Sequence, residues 1–248
     1  MPDNPMKTFI RRATLLALFC ASLAAASAAD PAGASSMDRP WKIHQTTPAV
    51  YPPRLTYNGV THGEARVRVS IDATGQLLDA LVVACTHRDF GDEALRTVKR
   101  WRYEPEWIEN QPIGVVADII FSFEVNGLIA IDKRIPGPHE AYAPIDPFAY
   151  QAEGAKRIDR IPTPTQVVAP VYPKEWSDRG IEGTATIEFY IDETGHARIP
   201  VAIAADHHLL GASAAAAVAQ WRFEPPTFQG KPTLLRAEQL FTFQPEKK

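Results

Sequence analysis

The sequence predicts an α+β protein built as two tandem domains, each with two helices packed on a three-stranded antiparallel sheet. Three observations carry this expectation. Trp101-Arg102-Tyr103-Glu104-Pro105 returns 120 residues later as Trp221-Arg222-Phe223-Glu224-Pro225. The same offset pairs Gly63 with Gly183, Asp72 and Gly75 with Asp192 and Gly195, Ala94 with Ala214, Pro112 with Pro232, and Phe121 and Phe123 with Phe241 and Phe243. A repeat this long marks a duplicated small domain rather than a solenoid. Within each copy, period-2 and helical spacings follow one another in the order helix, strand, strand, helix, strand.

Ahead of the first copy, Lys7, Arg11 and Arg12 precede an apolar run over 13–25 and small residues over 26–29, the pattern of a cleavable export signal spanning 1–29. Retained as a helix, 13–29 would span about 25 Å against roughly 30 Å of hydrocarbon, so an uncleaved anchor is the second reading. Phe19 stands where lipidation of Cys20 would need a small residue. Removing 1–29 leaves Cys85 as the only cysteine, which excludes an internal disulfide. It also moves the net charge from −3 to −5, which suits neither nucleic acid nor an anionic membrane surface. Residues 30–45 are polar, without apolar periodicity, and read as a flexible lead-in.

Domain 1 is placed at 46–126. Tyr51-Pro52 opens a short helix ended by Gly59, and Tyr172-Pro173 opens its counterpart, ended by Gly180. Ala65, Val67, Val69 and Ile71 alternate with Glu64, Arg66, Arg68 and Ser70, predicting a strand with one buried and one wet face. Asp72-Ala73-Thr74-Gly75 then closes a hairpin to a second strand. Phe90, Ala94, Val98 and Trp101 form a helical stripe, repeated by Leu210, Ala214, Val218 and Trp221. Pro105 and Pro225 are expected to end these helices, with Trp as core anchor and Arg and Glu pairing at the surface. The β-branched and aromatic runs at 115–125 and 234–243 are the third strands. Between the copies, 127–164 is a Pro-rich linker with Tyr142, Phe148 and Tyr150. Domain 2 is placed at 165–246.

Three other signals compete with this reading. Asp72-x-Thr74-Gly75 and Asp192-x-Thr194-Gly195 place carboxylates on loops, but the intervening Ala73 or Glu193 spoils the aspartic-protease pattern, and a hairpin turn accounts for both. His87 and His207 are equivalent, yet one histidine per module with no second ligand at ligand spacing reads as a solvated loop residue. Cys85 near His87 has Ala205 as its twin and reads as a half-buried strand cysteine.

The ordered set resembles the C-terminal domain of the TonB family, twice over. The family-motif residues are Tyr51, Pro52, Gly75, Trp101, Arg102, Tyr103 and Pro105, and Tyr172, Pro173, Gly195, Trp221, Arg222, Phe223 and Pro225. The resemblance implies a periplasmic domain that adds an extended segment, the TonB box of outer-membrane transporters, beside its third strand. Carried over, the binding edge of the first module is Val115, Val116, Ala117, Asp118, Ile119, Ile120, Phe121 and Phe123. That of the second is Leu235, Arg236, Ala237, Glu238, Gln239, Leu240, Phe241 and Phe243. Near Pro48 and Pro170, the Gln of the best-known member is replaced by Thr47 and Ala169.

The implied function is a non-catalytic periplasmic protein that binds peptide segments of outer-membrane transporters or other envelope proteins, with no catalytic residue, metal or cofactor. The alternative is an inner-membrane-anchored energy transducer, which requires the N-terminus to stay and a tether of about 20 residues to reach across the periplasm. A further reading has one module purely structural, closed edge to edge on the other. Arg66 and Arg68 against Thr186 and Glu188 on the strand surfaces predict different ligands for the two modules.

Overall fold

The computed structural model describes residues 38–125, 130–134, 150–172 and 174–244. Module 1 runs β1 (Lys42–Gln45), α1 (Pro53–Tyr57), β2 (His62–Ile71), β3 (Leu77–Cys85), α2 (Arg88–Val98), β4 (Arg102–Glu104), β5 (Glu106–Ile108), β6 (Gln111–Ile113) and β7 (Val115–Glu124). The connecting segment carries β8 (Ala130–Arg134), β9 (Tyr150–Gln151) and β10 (Glu153–Gly154). Module 2 repeats the plan with β11 (Pro164–Gln166), α3 (Lys174–Asp178), β12 (Gly183–Ile191), β13 (Ala197–Ala205), α4 (His208–Val218), β14 (Arg222–Phe223), β15 (Thr227–Phe228), β16 (Lys231–Pro232) and β17 (Leu235–Phe243).

The helices and three long strands of each module follow the expected order, but the sheets are wider than three strands. Module 1 holds a five-stranded sheet, β8-β7-β2-β3-β9, and module 2 a four-stranded one, β10-β17-β12-β13. The extra strands all come from the connecting segment, whose backbone groups satisfy themselves on sheet edges left open by each module. The lead-in is also more ordered than its composition suggested. From Asp38 onward it packs: β1 pairs with β4, and Trp41 is buried in the first core. Ile43 packs against the same core, and Arg39 exchanges backbone hydrogen bonds with Trp107, so strand pairing and two apolar side chains dock a segment without periodicity.

In module 1, Ala65, Val67, Val69 and Ile71 of β2 meet Phe90, Ala94 and Val98 of α2 and Trp101, Ala117, Ile119, Phe121 and Phe123 in one core. Module 2 repeats this with Ala185, Ile187, Phe189 and Ile191 against Leu210, Ala214, Val218 and Trp221. The pentapeptide is not the end of its helix. Each helix stops at Val98 or Val218, and Arg102–Glu104 or Arg222–Phe223 is a short strand that pairs with the lead-in to its module. Within it, Arg and Glu do not pair with one another: Glu104 lies 2.8 Å from His44, and Glu224 lies 2.7 Å from Arg160.

That strand also explains the glycines of the hairpin turns. Gly75 and Gly195 both have φ of +84°, and a Cβ there would lie 2.4 Å from the Tyr103 carbonyl oxygen or 2.0 Å from that of Phe223. Only glycine permits both the left-handed turn and this close approach. Asp72 Oδ1 accepts from the amides of Thr74 and Gln76 at 2.8 and 2.9 Å and from the Thr74 hydroxyl, and those bonds hold its carboxyl below the usual range. Asp192 makes the same turn. Both aspartates are turn formers.

The face of each sheet turned away from its helices is covered over part of its area, while Thr184, Glu238, Leu240 and Thr242 on that of module 2 stay exposed. Leu81 and Val83 of β3 pack against Tyr190, Ile199 and Leu234 of module 2 in a third apolar cluster. The two sheets thus stand back to back, with α2 and α4 on the outer sides. At this seam β13 carries a bulge, where Ile199 takes φ of +46°, a strained value for a β-branched residue. The bulge turns Ile199 into the seam and Arg198 toward Asp79.

Candidate partner-binding edges

The family-motif residues are scaffold. Trp101 and Trp221 are buried, and each indole Nε1 donates at 2.8 Å to a backbone carbonyl of the lead-in, Thr47 or Val168. Pro52 precedes α1, Tyr51 packs edge-on against Phe90, and its hydroxyl donates to the Val60 carbonyl. The buried Tyr103 hydroxyl donates to the Val98 carbonyl, fastening β4 to the end of α2, and burial pushes its pKa up. Phe223 stacks on Phe189 and Tyr172 packs by Phe243. Arg102 and Pro225 are exposed, while Arg222 and Pro105 are half-buried. Pro173 lies outside the described residues, as do the signal segment 1–29 and the linker aromatics Tyr142 and Phe148.

The expected binding edge of module 1 is occupied. In β7, residues 118–122 pair on their outer side with β8, antiparallel, with Asp118 opposite Arg134, Phe121 opposite Ile131 and Ser122 opposite Ala130. Ile119 and Ile120 stand opposite Lys133 and Asp132. Val115, Val116 and Ala117 extend beyond β8, and Val115 and Ala117 are buried. So β7 is an inner strand, contrary to the expectation of an exposed edge. The reason lies downstream of the module, where the chain turns back on the strand it has just left.

The edge of module 2 is open over most of its length. Leu235 and Arg236 pair on their outer side with Glu153 and Gly154, in parallel. Among the described residues no strand covers 237–243 on that side. Glu238, Gln239 and Leu240 are exposed, Ala237 and Phe241 half-buried, and Phe243 buried. Phe241 lies against Trp221 with ring centroids 5.6 Å apart, so an incoming strand would find an aromatic floor beside an edge whose Leu240 carbonyl accepts from the Gln239 side chain at 2.8 Å.

Arg68 and Glu188, read from the sequence as wet residues that set ligand preference, are instead buried between the modules. Arg68 donates through Nε to Asp118 Oδ1 at 2.9 Å and through Nη1 to Glu188 Oε1 at 2.5 Å. Arg236 closes the set by donating to Glu188 Oε2, and the Arg68 guanidinium lies 5.0 Å from the Tyr190 ring centroid. Two cations and two carboxylates thus meet at this site, each carboxylate held by at least one guanidinium. Beside it Arg198 donates to Asp79 at 2.8 Å and to Asp192 at 3.1 Å, contacts that raise its pKa, the Asp79 hydrogen bond foremost. The modules therefore close on each other face to face, not edge to edge. Alternation along a strand shows which side a residue takes, but not what covers that side.

His87 and His207 have a structural task. Each caps the helix it precedes, its Nδ1 accepting from the amide of Asp89 at 3.1 Å or of Leu209 at 3.2 Å. No group of three or more metal-ligating side chains occurs among the described residues. Cys85 is buried, and its thiol is pushed up to about 11 by desolvation. Tyr150, the described linker aromatic, donates to Glu193 at 2.6 Å while the Arg88 guanidinium lies 4.3 Å from its ring centroid, so the segment is pinned to both modules.

A family model described as the Gram-negative bacterial TonB protein C-terminal matches residues 47–125 and again 168–245. The chain belongs to the TonB C-terminal family. Both copies are members, and the two matched stretches hold α1 to β7 and α3 to β17, leaving out β1 and β11. Membership gives the protein a TonB-like part in envelope-transport interactions, in a family of periplasmic, non-catalytic transducers and binding proteins. Among solved structures it is similar to the solution NMR structure of the Pseudomonas aeruginosa TonB CTD, at 31% identity, covering 35% of this chain and 89% of that one, with a TM-score of 0.32. No curated protein matches. No helix among the described residues is long and apolar enough to cross a membrane.

Proposed function

We propose that this TonB-like protein is a periplasmic binding protein that takes an extended peptide segment of an envelope partner, of the TonB-box kind, as an added strand on β17. One observation supports the reading: no strand among the described residues covers 237–243 on the outer side, the stretch that the resemblance to the family implies for partner binding. An added strand would gain main-chain hydrogen bonds along this edge, and its alternate side chains would meet Phe241 and Ala237 on one face. Each such bond contributes about 0.5–1.5 kcal/mol net, so selectivity rests on those side-chain contacts.

The test is an amide-shift titration of the full exported chain with a synthetic TonB-box peptide of an outer-membrane transporter. Shifts confined to 237–243 and the facing residues of β12 are expected. Gln239→Pro, which disrupts the strand without touching the seam between modules, should abolish them. Shifts elsewhere, or none at all, would end this reading.

A further inference from the structure

We infer that β8 is an internal occupant of the partner-binding edge of module 1, so that this module is masked by the chain's own strand while module 2 stands open. This rests on the functional reading above for what a third-strand edge is for, but not for the occupancy itself. Three observations support it. First, β8 lies antiparallel along the outer side of β7 over 118–122, on the same backbone groups a partner strand would need. Second, the equivalent stretch of β17, 238–242 at the 120-residue offset, has no such cover among the described residues. Third, the linker makes other strand additions to the modules, β9 on β3 at Ala84 and Cys85 and β10 on β17 at Leu235 and Arg236, but each is only two residues long. Of the three, β8 is the longest, and it lies along the middle of the expected binding stretch, at 118–122.

A strand joined to its site by a short connection competes at an effective concentration in the millimolar range. A peptide in solution must displace it, and its apparent affinity falls by the fraction of molecules in which the edge is open. A five-residue strand on one edge is also weak enough to leave. Module 1 would then respond only to a partner that is strongly bound or highly concentrated, whereas module 2 responds first.

The experiment uses the full chain and two variants. In one, Ile131→Pro and Asp132→Pro are combined. Neighbouring residues point their amides alternately toward and away from β7, so one of the two falls on a bonding position. In the other, residues 130–134 are replaced by alternating Gly and Ser, which keeps the test valid should the first variant misfold. Two probes are titrated: a synthetic peptide of residues 128–136, and the transporter TonB-box peptide. Either variant should lose hydrogen-exchange protection at 118–122 and regain it with either peptide, the two competing. In the unaltered chain the TonB-box peptide should bind β7 at least about tenfold more weakly than in the variants.

The inference is overturned if neither peptide reaches β7 in the variants. It is overturned equally if only the 128–136 peptide does, which would make β8 a purely structural strand, or if the unaltered chain binds the TonB-box peptide at β7 as well as the variants do. A silent β17 with a responsive β7 would sink the proposed role of β17 while leaving the masking intact.

Discussion

Arg68 and Glu188 stand one repeat length apart in sequence and meet in space, Nη1 to Oε1 at 2.5 Å, both almost completely buried. A residue that touches its own counterpart lies on or near a two-fold axis, as in an isologous dimer interface. The two modules thus pack like subunits of a dimer held in one chain. Because the two copies carry opposite charges at this position, the contact is an ion pair and not a like-charge clash.

Arg68→Ala should destabilise the protein by about 3–5 kcal/mol, because it removes the buried cation that Asp118 and Glu188 share and leaves Glu188 to Arg236 alone among the ion pairs described. Arg54→Ala, at an exposed position, should change stability by less than about 0.5 kcal/mol. Urea denaturation of both variants checks this, and an Arg68→Ala effect under about 1 kcal/mol would refute the role assigned to the quartet.

The turn glycines separate conformational strain from crowding. Gly195→Ala meets both, with φ of +84° and a carbonyl oxygen 2.0 Å from the new Cβ. Gly180→Ala meets only the first, with φ of +66° and open space around it. The second substitution should cost about 1–2 kcal/mol and the first clearly more. Thermal melts should show the larger loss of Tm for Gly195→Ala.

The cap at α4 predicts a pH dependence. Burial, and then the neighbouring His208, lower the pKa of His207, so the folded protein favours the neutral ring that can accept from Leu209. The unfolded chain binds the proton more readily, so this contribution is present above the ordinary histidine pKa of about 6.5 and is lost as pH falls through the lower folded value. His207→Asn keeps a cap without a titrating ring and should flatten stability between about pH 6.5 and 5, whereas His207→Ala should cost about 1 kcal/mol at neutral pH. Denaturant midpoints across that range provide the check.

Cys85 should be inert in the folded state. Its thiol is buried and pushed up to about 11, so almost no thiolate exists at pH 8. Intact-mass analysis after iodoacetamide should show no adduct at Cys85 in native buffer and a full adduct in denaturant. Rapid native labelling would mean that the β3 edge, where Tyr150 pairs with Cys85, opens readily.

Much of the fold was legible because local chemistry specified it. The 120-residue offset gave two modules, the alternation in β2 gave its two faces, the stripe from Phe90 to Trp101 gave a buried helix face, and Asp72 with Gly75 gave a turn. The pentapeptide misled: Pro105 suggested a helix end, whereas the helix had stopped at Val98 and Arg102–Glu104 had found a strand partner in β1. His87 and His207 were readable as caps in principle, since each precedes a helical stripe, but histidine is an uncommon cap and carried little signal.

By itself, then, the sequence determined the modules, their internal layers and the third strands on which partner binding would occur, since each depends on neighbours a few residues away or on the repeat itself. Tertiary structure alone decided which of those strands remains an edge and which polar face stays wet. Both are questions of what arrives from a distant part of the chain: β8 on β7 across a connection without periodicity, and Glu188 on Arg68 across 120 residues. A backbone group or a charged side chain carries the same local pattern whether water or protein comes to satisfy it.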